Sequence, residues 1–225
     1  MERALSKHKR IQPKIIVMSK NIFDHIQPIR FLGRENTQPL AFNWYDANKV
    51  IHGKTMRDHL RFAVCYWHSF NWSGNDIFGE GALNRPWLND PKSHDYALQK
   101  LESAFSFFEK LGAPFFCFHD VDIAAYSHTV KELAENLKKI SDSVAKKMED
   151  NGIGLLWGTA NLFSHPRYMA GAAPNPDPEV FKCAAFQVKN MLEVTHQLQG
   201  ENYVLWGGRE GYDTLLNTNL KQELN

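Results

Sequence analysis

The feature that most constrains the fold is a regular alternation between short apolar segments and longer amphipathic segments. The short segments predict buried strands, at His59–Tyr66, Pro114–Phe118, Ile153–Trp157 and Tyr203–Trp206. The amphipathic segments predict helices, at Ser93–Leu111, at Val130–Asn151, from Asp177 to a stop at Gly200, and over the incomplete stretch Leu215–Leu224. A chain that alternates in this way forms parallel strands joined by right-handed crossovers.

Two architectures fit this alternation, a doubly wound sheet and a barrel. No GxGxxG motif or phosphate-binding loop follows any predicted strand, which removes the usual nucleotide-binding interpretation. Each strand ends instead in an aromatic residue or a histidine, followed by small polar residues, as expected where βα loops converge on one pocket. We therefore predict an α/β fold of the TIM-type (β/α)8 barrel family, with about the first four βα units in residues 59–225.

The residues before the first predicted strand show no clear periodicity. Residues 1–20 are basic, and their only apolar run is too short for the core of a signal peptide. We predict a disordered leader over this range, with a weak transit-like segment as the alternative. Residues 21–58 predict an irregular arm that packs over the rest of the chain. Three aromatic residues would anchor this arm: Phe42, Trp44 and Tyr45.

Composition excludes several classes of partner. The formal net charge is +1, so there is no electrostatic case for binding nucleic acid or an anionic membrane. No apolar run is long enough to span a bilayer. The three cysteines, Cys65, Cys117 and Cys183, form no CxxC motif and predict reduced thiols in a cytoplasmic protein rather than a zinc site or a disulfide framework.

The segment from Phe115 to Asp122 joins a predicted buried strand directly to ionisable residues. A strand that ends in this way is a common means of presenting catalytic groups in a barrel. His119 could move a hydroxyl proton, and Asp122 could orient its ring. A buried structural His–Asp pair is the alternative. Asp120 is the weaker partner for the histidine, because adjacent residues on an extended backbone point to opposite sides.

Longer motifs at the same strand ends resemble one family. These motifs are Asn43–Tyr45, His59–Phe62, Cys65–His68, Phe78–Gly79, Asn84–Trp87, Cys117–Asp122 (CFHDVD), Leu155–Phe163 (LLWGTANLF), Asn175–Glu179 and Gly200–Tyr212 (GENYVLWGGREGY). They extend from about residue 40 to the end of the chain. On these motifs the chain resembles the N-terminal half of xylose isomerase, an aldose–ketose isomerase, in the subgroup with the longer N-terminal arm.

The resemblance implies roles for individual residues. His119 matches the histidine that handles protons during sugar ring opening, and Asp122 matches the aspartate that holds its imidazole. Trp67 and Trp206 match two tryptophans that wall the sugar site, with a core position as the alternative for each. Further substrate-pocket positions are Thr159, Phe163 and Val204. Phe78 matches an aromatic residue that enters a neighbouring subunit's active site, which implies a homo-oligomer, a tetramer in the family.

The resemblance also implies D-xylose, and possibly D-glucose, as the sugar, and two divalent cations (Mg, Mn or Co) that support a hydride shift. The family takes its metal ligands from later strands, so we expect none in this chain and predict a truncated, inactive form. Pairing with a second chain that supplies the missing half is one alternative, and a remnant that binds sugar or intact subunits is another. A further alternative is a different metal-dependent sugar isomerase or epimerase of the same barrel superfamily.

Overall fold

The computed structural model describes residues 21–208, 211, 216 and 219–223, so the predicted leader over residues 1–20 lies outside the described residues. The strands are β1 (Val50–Ile51), β2 (Lys54–Thr55), β3 (Ala63–Cys65), β4 (Phe115–His119), β5 (Gly154–Thr159) and β6 (Asn202–Tyr203). The helices are α1 (Met56–His59), α2 (His94–Leu111), α3 (Asp120–Ile123), α4 (Val130–Asn151), α5 (Pro178–Gln197) and α6 (Leu220–Glu223). A π-helical turn at Trp67–Asn71 and 3-10 turns at Pro86–Leu88 and Pro166–Tyr168 lie in the connections.

The centre of the fold is a parallel sheet with the strand order β3-β4-β5-β6. Each strand therefore lies beside the one that precedes it along the chain, with no reversal of the order. The long helices are arranged in the same order, since α2 packs on α4 and α4 packs on α5. This succession, with the helices in contact in chain order, is consistent with a partial TIM-type fold and differs from the reversal that defines a doubly wound sheet.

Aromatic side chains fill the space between the sheet and the helices. Phe108 on α2 stacks on Phe116 of β4 with ring centroids 5.5 Å apart, and Phe116 stacks on Phe118 at 5.9 Å. All three are fully buried, together with Ile140 and Val144 of α4. Burying one phenylalanine side chain contributes about 1.5–3 kcal/mol. This cluster therefore ties β4 to two helices and fixes where the strand ends.

Local sequence signals set the ends of the long helices. Thr129 Oγ1 accepts a hydrogen bond from the backbone N–H of Glu132 at the start of α4. Gly112 and Gly152 end α2 and α4 with φ values of 71° and 63°, which glycine adopts without strain. Within the described part of the chain, no helix combines the length and apolar character that crossing a bilayer requires.

The prediction that α5 runs up to Gly200 is wrong. The helix stops at Gln197, and the residue with positive φ is Gln199, at 53°. Gly200 is required by a close approach, because a Cβ there would lie 2.7 Å from Thr195 Cγ2 and 3.1 Å from Leu155 Cδ2. The glycine therefore allows the chain to pass close to α5 and β5 on its way into β6.

The first predicted strand is too long. His59 belongs to α1, and β3 covers only Ala63–Cys65. The reason is a capping box: Thr55 Oγ1 accepts from the Asp58 N–H, and the Asp58 carboxylate accepts from the Thr55 N–H, both at 3.2 Å. This reciprocal pair starts a helical turn, and the strand begins only after it.

The N-terminal arm contains more regular structure than predicted, since it holds the antiparallel pair β1–β2 and most of α1. Phe42 and Tyr45 anchor it, with Tyr45 also packing edge-on against Phe62 at 5.1 Å. Trp44 is not an anchor, because its side chain is 75% exposed, with the Arg34 guanidinium 4.4 Å from its ring centroid. Tyr45 therefore attaches the arm to the segment before β3, and Phe42 packs against Tyr45 within the arm.

Candidate active site

A cavity of about 1170 Å³ opens at the carboxyl ends of the parallel strands. Each strand of the sheet delivers a side chain to it, either from its last residue or from the residues just beyond. The cavity brings together seven of the residues that the sequence predicts for the site: Trp67, His119, Asp122, Thr159, Phe163, Val204 and Trp206. This edge of a parallel sheet is where βα loops normally build binding sites.

His119 and Asp122 form a buried pair at the end of β4. His119 Nδ1 lies 2.9 Å from Asp122 Oδ2, and the same oxygen accepts the His119 backbone N–H at 2.7 Å. A carboxylate only accepts hydrogen bonds, so Nδ1 carries the proton in this contact. Nε2 is then the ring nitrogen left to exchange a proton with a molecule in the cavity. The pair has the geometry of an oriented general base.

A second chain of hydrogen bonds reaches the other oxygen of Asp122. Asn71 Nδ2 donates to Asp122 Oδ1 at 2.8 Å, and Lys100 Nζ donates to Asn71 Oδ1 at 2.9 Å. Lys100 is only 7% exposed although it lies on α2. Burial lowers its pKa from 10.5 to about 8, and the charge on Asp122 opposes that change.

Aromatic rings enclose the histidine. Trp67 meets the His119 ring edge-on with centroids 4.7 Å apart, and Phe163 does so from another direction at 5.5 Å. Trp157 packs beside Trp67 at 5.6 Å. Trp206 lines the same cavity but is 58% exposed. Such rings exclude water and offer flat surfaces to apolar C–H groups.

Thr159 and Val204 join β5 to the end of β6 at the wall of the cavity. Thr159 Oγ1 donates to the carbonyl oxygen of Val204 at 2.5 Å, and the Val204 N–H donates to the carbonyl oxygen of Gly158 at 3.1 Å. The Thr159 hydroxyl proton is therefore already used within the protein. Phe78 is the predicted site residue that does not line this cavity, and its side chain is 89% exposed on its loop.

Asp120 points away from His119, as its position next to the histidine predicts. Its carboxylate accepts hydrogen bonds from the Asn161 N–H at 2.9 Å and from Gln187 Nε2 at 2.8 Å. Tyr168 in turn donates to Gln187 Oε1. Burial raises the pKa of Asp120 to about 6 against these hydrogen bonds. The network ties the loop after β5 to α5, behind the cavity wall.

The described residues do not fit a divalent cation. Among residues 21–208 and the short described stretches beyond them, no three His, Cys, Asp or Glu side chains come close enough to hold a metal. Mg²⁺ and Mn²⁺ need several oxygen ligands, and the buried carboxylates Asp120 and Asp122 are engaged by other partners.

Sequence reasoning missed three residues of the site: Asn71, Lys100 and Trp157. Lys100 left a signal, because it falls in the apolar stripe of α2 between Ala97 and Ala104, where a lysine is expected only if it has a buried partner. Asn71 left none, since its contact with Asp122 spans 51 residues along the chain.

Fold and site together define a class: a parallel α/β protein with an oriented histidine in an aromatic-walled cavity at its strand ends, suited to proton transfer on a small ligand. No family model matches the chain. The chain is 57% identical over 206 residues to the xylose isomerase of Solibacter usitatus, which is 92% of this chain and 47% of that protein. It is 57% identical to the Paraburkholderia xenovorans enzyme and 58% identical to that of Haemophilus influenzae strain PittGG, over 89% of this chain and 46% of each relative.

The chain is therefore a homologue of xylose isomerase, and the match is consistent with an N-terminal half. It spans about half the length of the curated relatives that it matches. The resemblance on which the sequence motifs were interpreted is confirmed.

Proposed function

We propose that this chain forms the ring-opening part of the active site of an aldose–ketose isomerase that interconverts D-xylose and D-xylulose. The observation that carries this proposal is the His119–Asp122 pair, with one ring nitrogen fixed by the carboxylate and the other left to the cavity. The homology to xylose isomerases over about 90% of this chain supports the choice of sugar.

The residues present suit the proton transfers of ring opening. His119 Nε2 takes the proton from the anomeric hydroxyl, and the imidazolium returns a proton to the ring oxygen as the C1–O5 bond breaks. The net change is an open-chain aldose and an unchanged histidine. Asp122 stabilises the transient imidazolium through Nδ1–H. Groups placed in this way contribute about 10²–10⁴-fold to a rate.

The aromatic wall is assigned to sugar binding. Trp67 and Phe163 surround the histidine, and Trp206 faces the same cavity from the end of β6. Rings of this kind stack on the C–H face of a sugar and keep water from the reacting carbons. Neither role uses a metal. The two divalent cations (Mg, Mn or Co) expected for the family would support the subsequent hydride shift, from ligands other than the described residues.

The remaining family features belong to the same proposal. The parallel sheet would be one part of a (β/α)8 barrel, in a cytoplasmic homotetramer that also accepts D-glucose. Phe78 and its neighbour Ile77 are both almost fully exposed on a glycine-marked loop. Two large apolar side chains in water favour burial against another surface, which supports insertion of Phe78 into a neighbouring subunit.

Ring opening can be measured without the hydride shift. NMR exchange between the α and β anomers of D-xylose reports it directly, and we expect the 225-residue chain to accelerate this exchange. His119→Gln should lower the acceleration about 100-fold or more. The matched control is His196→Gln, which changes an exposed histidine on α5 and should leave the rate unchanged.

Xylulose formation is the second measurement. We expect none from the chain alone with Mg²⁺ or Mn²⁺, and turnover when the C-terminal half of the Solibacter usitatus enzyme is added. A folded chain that binds xylose but leaves the anomer exchange at its uncatalysed rate would overturn the proposal and make the chain a binding module. Turnover by the chain alone would overturn the division of roles.

A further inference from the structure

Lys100 is an unusual residue for the buried face of a helix. It sits among apolar side chains of α2, and its ammonium group lies 6.0 Å from the ring centroid of Tyr66. Burying a charge of this kind is costly unless it is paired and hydrogen-bonded. Within the described part of the chain, its ammonium group donates a hydrogen bond to the amide oxygen of Asn71, a neutral group. The cost therefore calls for a role that an apolar side chain at this position would not fill.

The Asn71 amide can present either of two ends to Asp122. With its nitrogen toward the carboxylate it donates a hydrogen bond, and with its oxygen there it would place two acceptors face to face. The lysine ammonium group has only donors, so it can hydrogen-bond to the amide oxygen of Asn71 but not to the amide nitrogen. Lys100 therefore keeps the amide oxygen facing its own Nζ. The lysine thereby favours, from the opposite end of the amide, the orientation in which Asn71 Nδ2 donates to Asp122 Oδ1 at 2.8 Å and to the Asp122 backbone carbonyl at 3.3 Å.

The selected orientation also fixes the carboxylate. Oδ1 of Asp122 is held by Asn71 at 2.8 Å, and Oδ2 receives the two N–H groups of His119 at 2.7 and 2.9 Å. With each oxygen engaged, the carboxylate cannot rotate without losing hydrogen bonds. Connected networks of this type restrain their members more than isolated pairs do.

We propose that Lys100 is a positioning residue that orients the Asn71 amide and through it holds Asp122 against His119. The inference rests on the proposed function only for the step that His119 performs. The positioning itself concerns hydrogen bonds within the chain and can be tested without any sugar.

The first test reads the hydrogen bond directly. The Nδ1–H proton of His119 gives a downfield resonance in the NMR spectrum of the full 225-residue chain, identified by its loss in His119→Gln. We expect this resonance to broaden and shift upfield in Lys100→Met and in Asn71→Leu. Lys146→Met removes an exposed lysine of α4 and serves as the matched control, with an unchanged resonance.

The second test is a double-mutant cycle on anomer exchange. If Lys100 acts through Asn71, each single variant lowers kcat about tenfold with little change in KM, and the double variant is no slower than Asn71→Leu alone. If Lys100 only stabilised the fold, its replacement would lower the amount of folded protein and leave kcat per folded molecule and KM unchanged. Rate losses that multiply in the double variant would overturn the proposal.

The outcomes remain separable if one variant fails. An unchanged resonance in Asn71→Leu overturns the positioning proposal by itself, even if Lys100→Met does not fold. Anomer exchange that is insensitive to His119→Gln overturns the proposed function, while the resonance still decides the role of Lys100. A resonance unchanged in a folded Lys100→Met chain overturns the positioning proposal whatever the sugar chemistry.

Discussion

Replacing Lys100 by methionine should change how the stability of the protein depends on pH. The pKa of Lys100 falls from 10.5 to about 8 in the folded chain because the amine is buried. At 1.36 kcal/mol for each pKa unit, folding with this amine charged costs about 3 kcal/mol at neutral pH. The folded pKa is depressed, so this cost disappears as the pH rises through the folded and then the unfolded value.

The magnitude follows from the two pKa values. Between pH 7 and pH 9.5 the wild type should gain about 2 kcal/mol in the free energy of unfolding relative to Lys100→Met, since the variant has no amine to titrate. The constant cost of leaving Asn71 Oδ1 without its donor, about 1–3 kcal/mol, cancels from this pH-dependent difference. Tyrosines and cysteines titrate in both proteins and cancel as well.

The assay is urea unfolding of both proteins at several pH values, followed by tryptophan fluorescence. Lys146→Met is the control, because that lysine is exposed and its curve should run parallel to the wild type. Parallel curves for the wild type and Lys100→Met would refute the reasoning, since they would mean that burial does not perturb the amine.

Two further predictions concern the network behind the cavity and the close approach of β5 to α5. Burial raises the pKa of Asp120 from 3.8 to about 6, so folding with this carboxyl group buried costs least at low pH, where the group is protonated. As the pH falls from 7 to 4, the free energy of unfolding of the wild type should therefore rise by about 2 kcal/mol relative to that of Asp120→Asn, measured by urea unfolding. A difference between the two proteins that stays constant with pH would contradict this. Gly158→Ala would place a Cβ 2.5 Å from Met191 Cε and 2.3 Å from Thr195 Oγ1, so thermal unfolding should show that the free energy of unfolding falls by about 1–3 kcal/mol. The control is Gly79→Ala, where a Cβ would meet nothing within 4 Å. Gly53→Ala is not a suitable control, because the φ of Gly53 is positive.

The alternation of strands and helices was predictable because each long helix carries its own signals. The bounds of α4 agree with the prediction, since Thr129 and Gly152 mark both ends and the apolar stripe lies between them. The alternation alone left two strand orders open, and the absence of a nucleotide-binding motif at the strand ends favoured the sequential order that the sheet shows. Local chemistry was enough for these elements.

The first strand could not be placed in the same way. Leu60 and Phe62 look like strand residues in the sequence, yet both are exposed and precede β3. A capping box upstream outweighed their apolar character. Where a helical turn and a strand compete over a few residues, periodicity alone does not decide between them.

The site divides along similar lines. His119 and Asp122 were predictable because they lie three residues apart at one strand end. The contribution of Asn71 was not, because it lies in a π-helical turn that no local motif marks. Lys100 was visible only as an inconsistency in the stripe of α2, and the sequence does not say which distant group resolves it.

The double acceptance by Asp122 Oδ2 has a consequence for how the site is assembled. Both bonds to His119 span only three residues, so the pair is encoded in four consecutive positions at a strand end. Such a unit has very low contact order, so we expect it to form early in folding, when β4 and α3 meet. It is in this sense a transplantable motif, which a designer could place at the carboxyl end of another parallel strand while supplying the donor to Oδ1 separately.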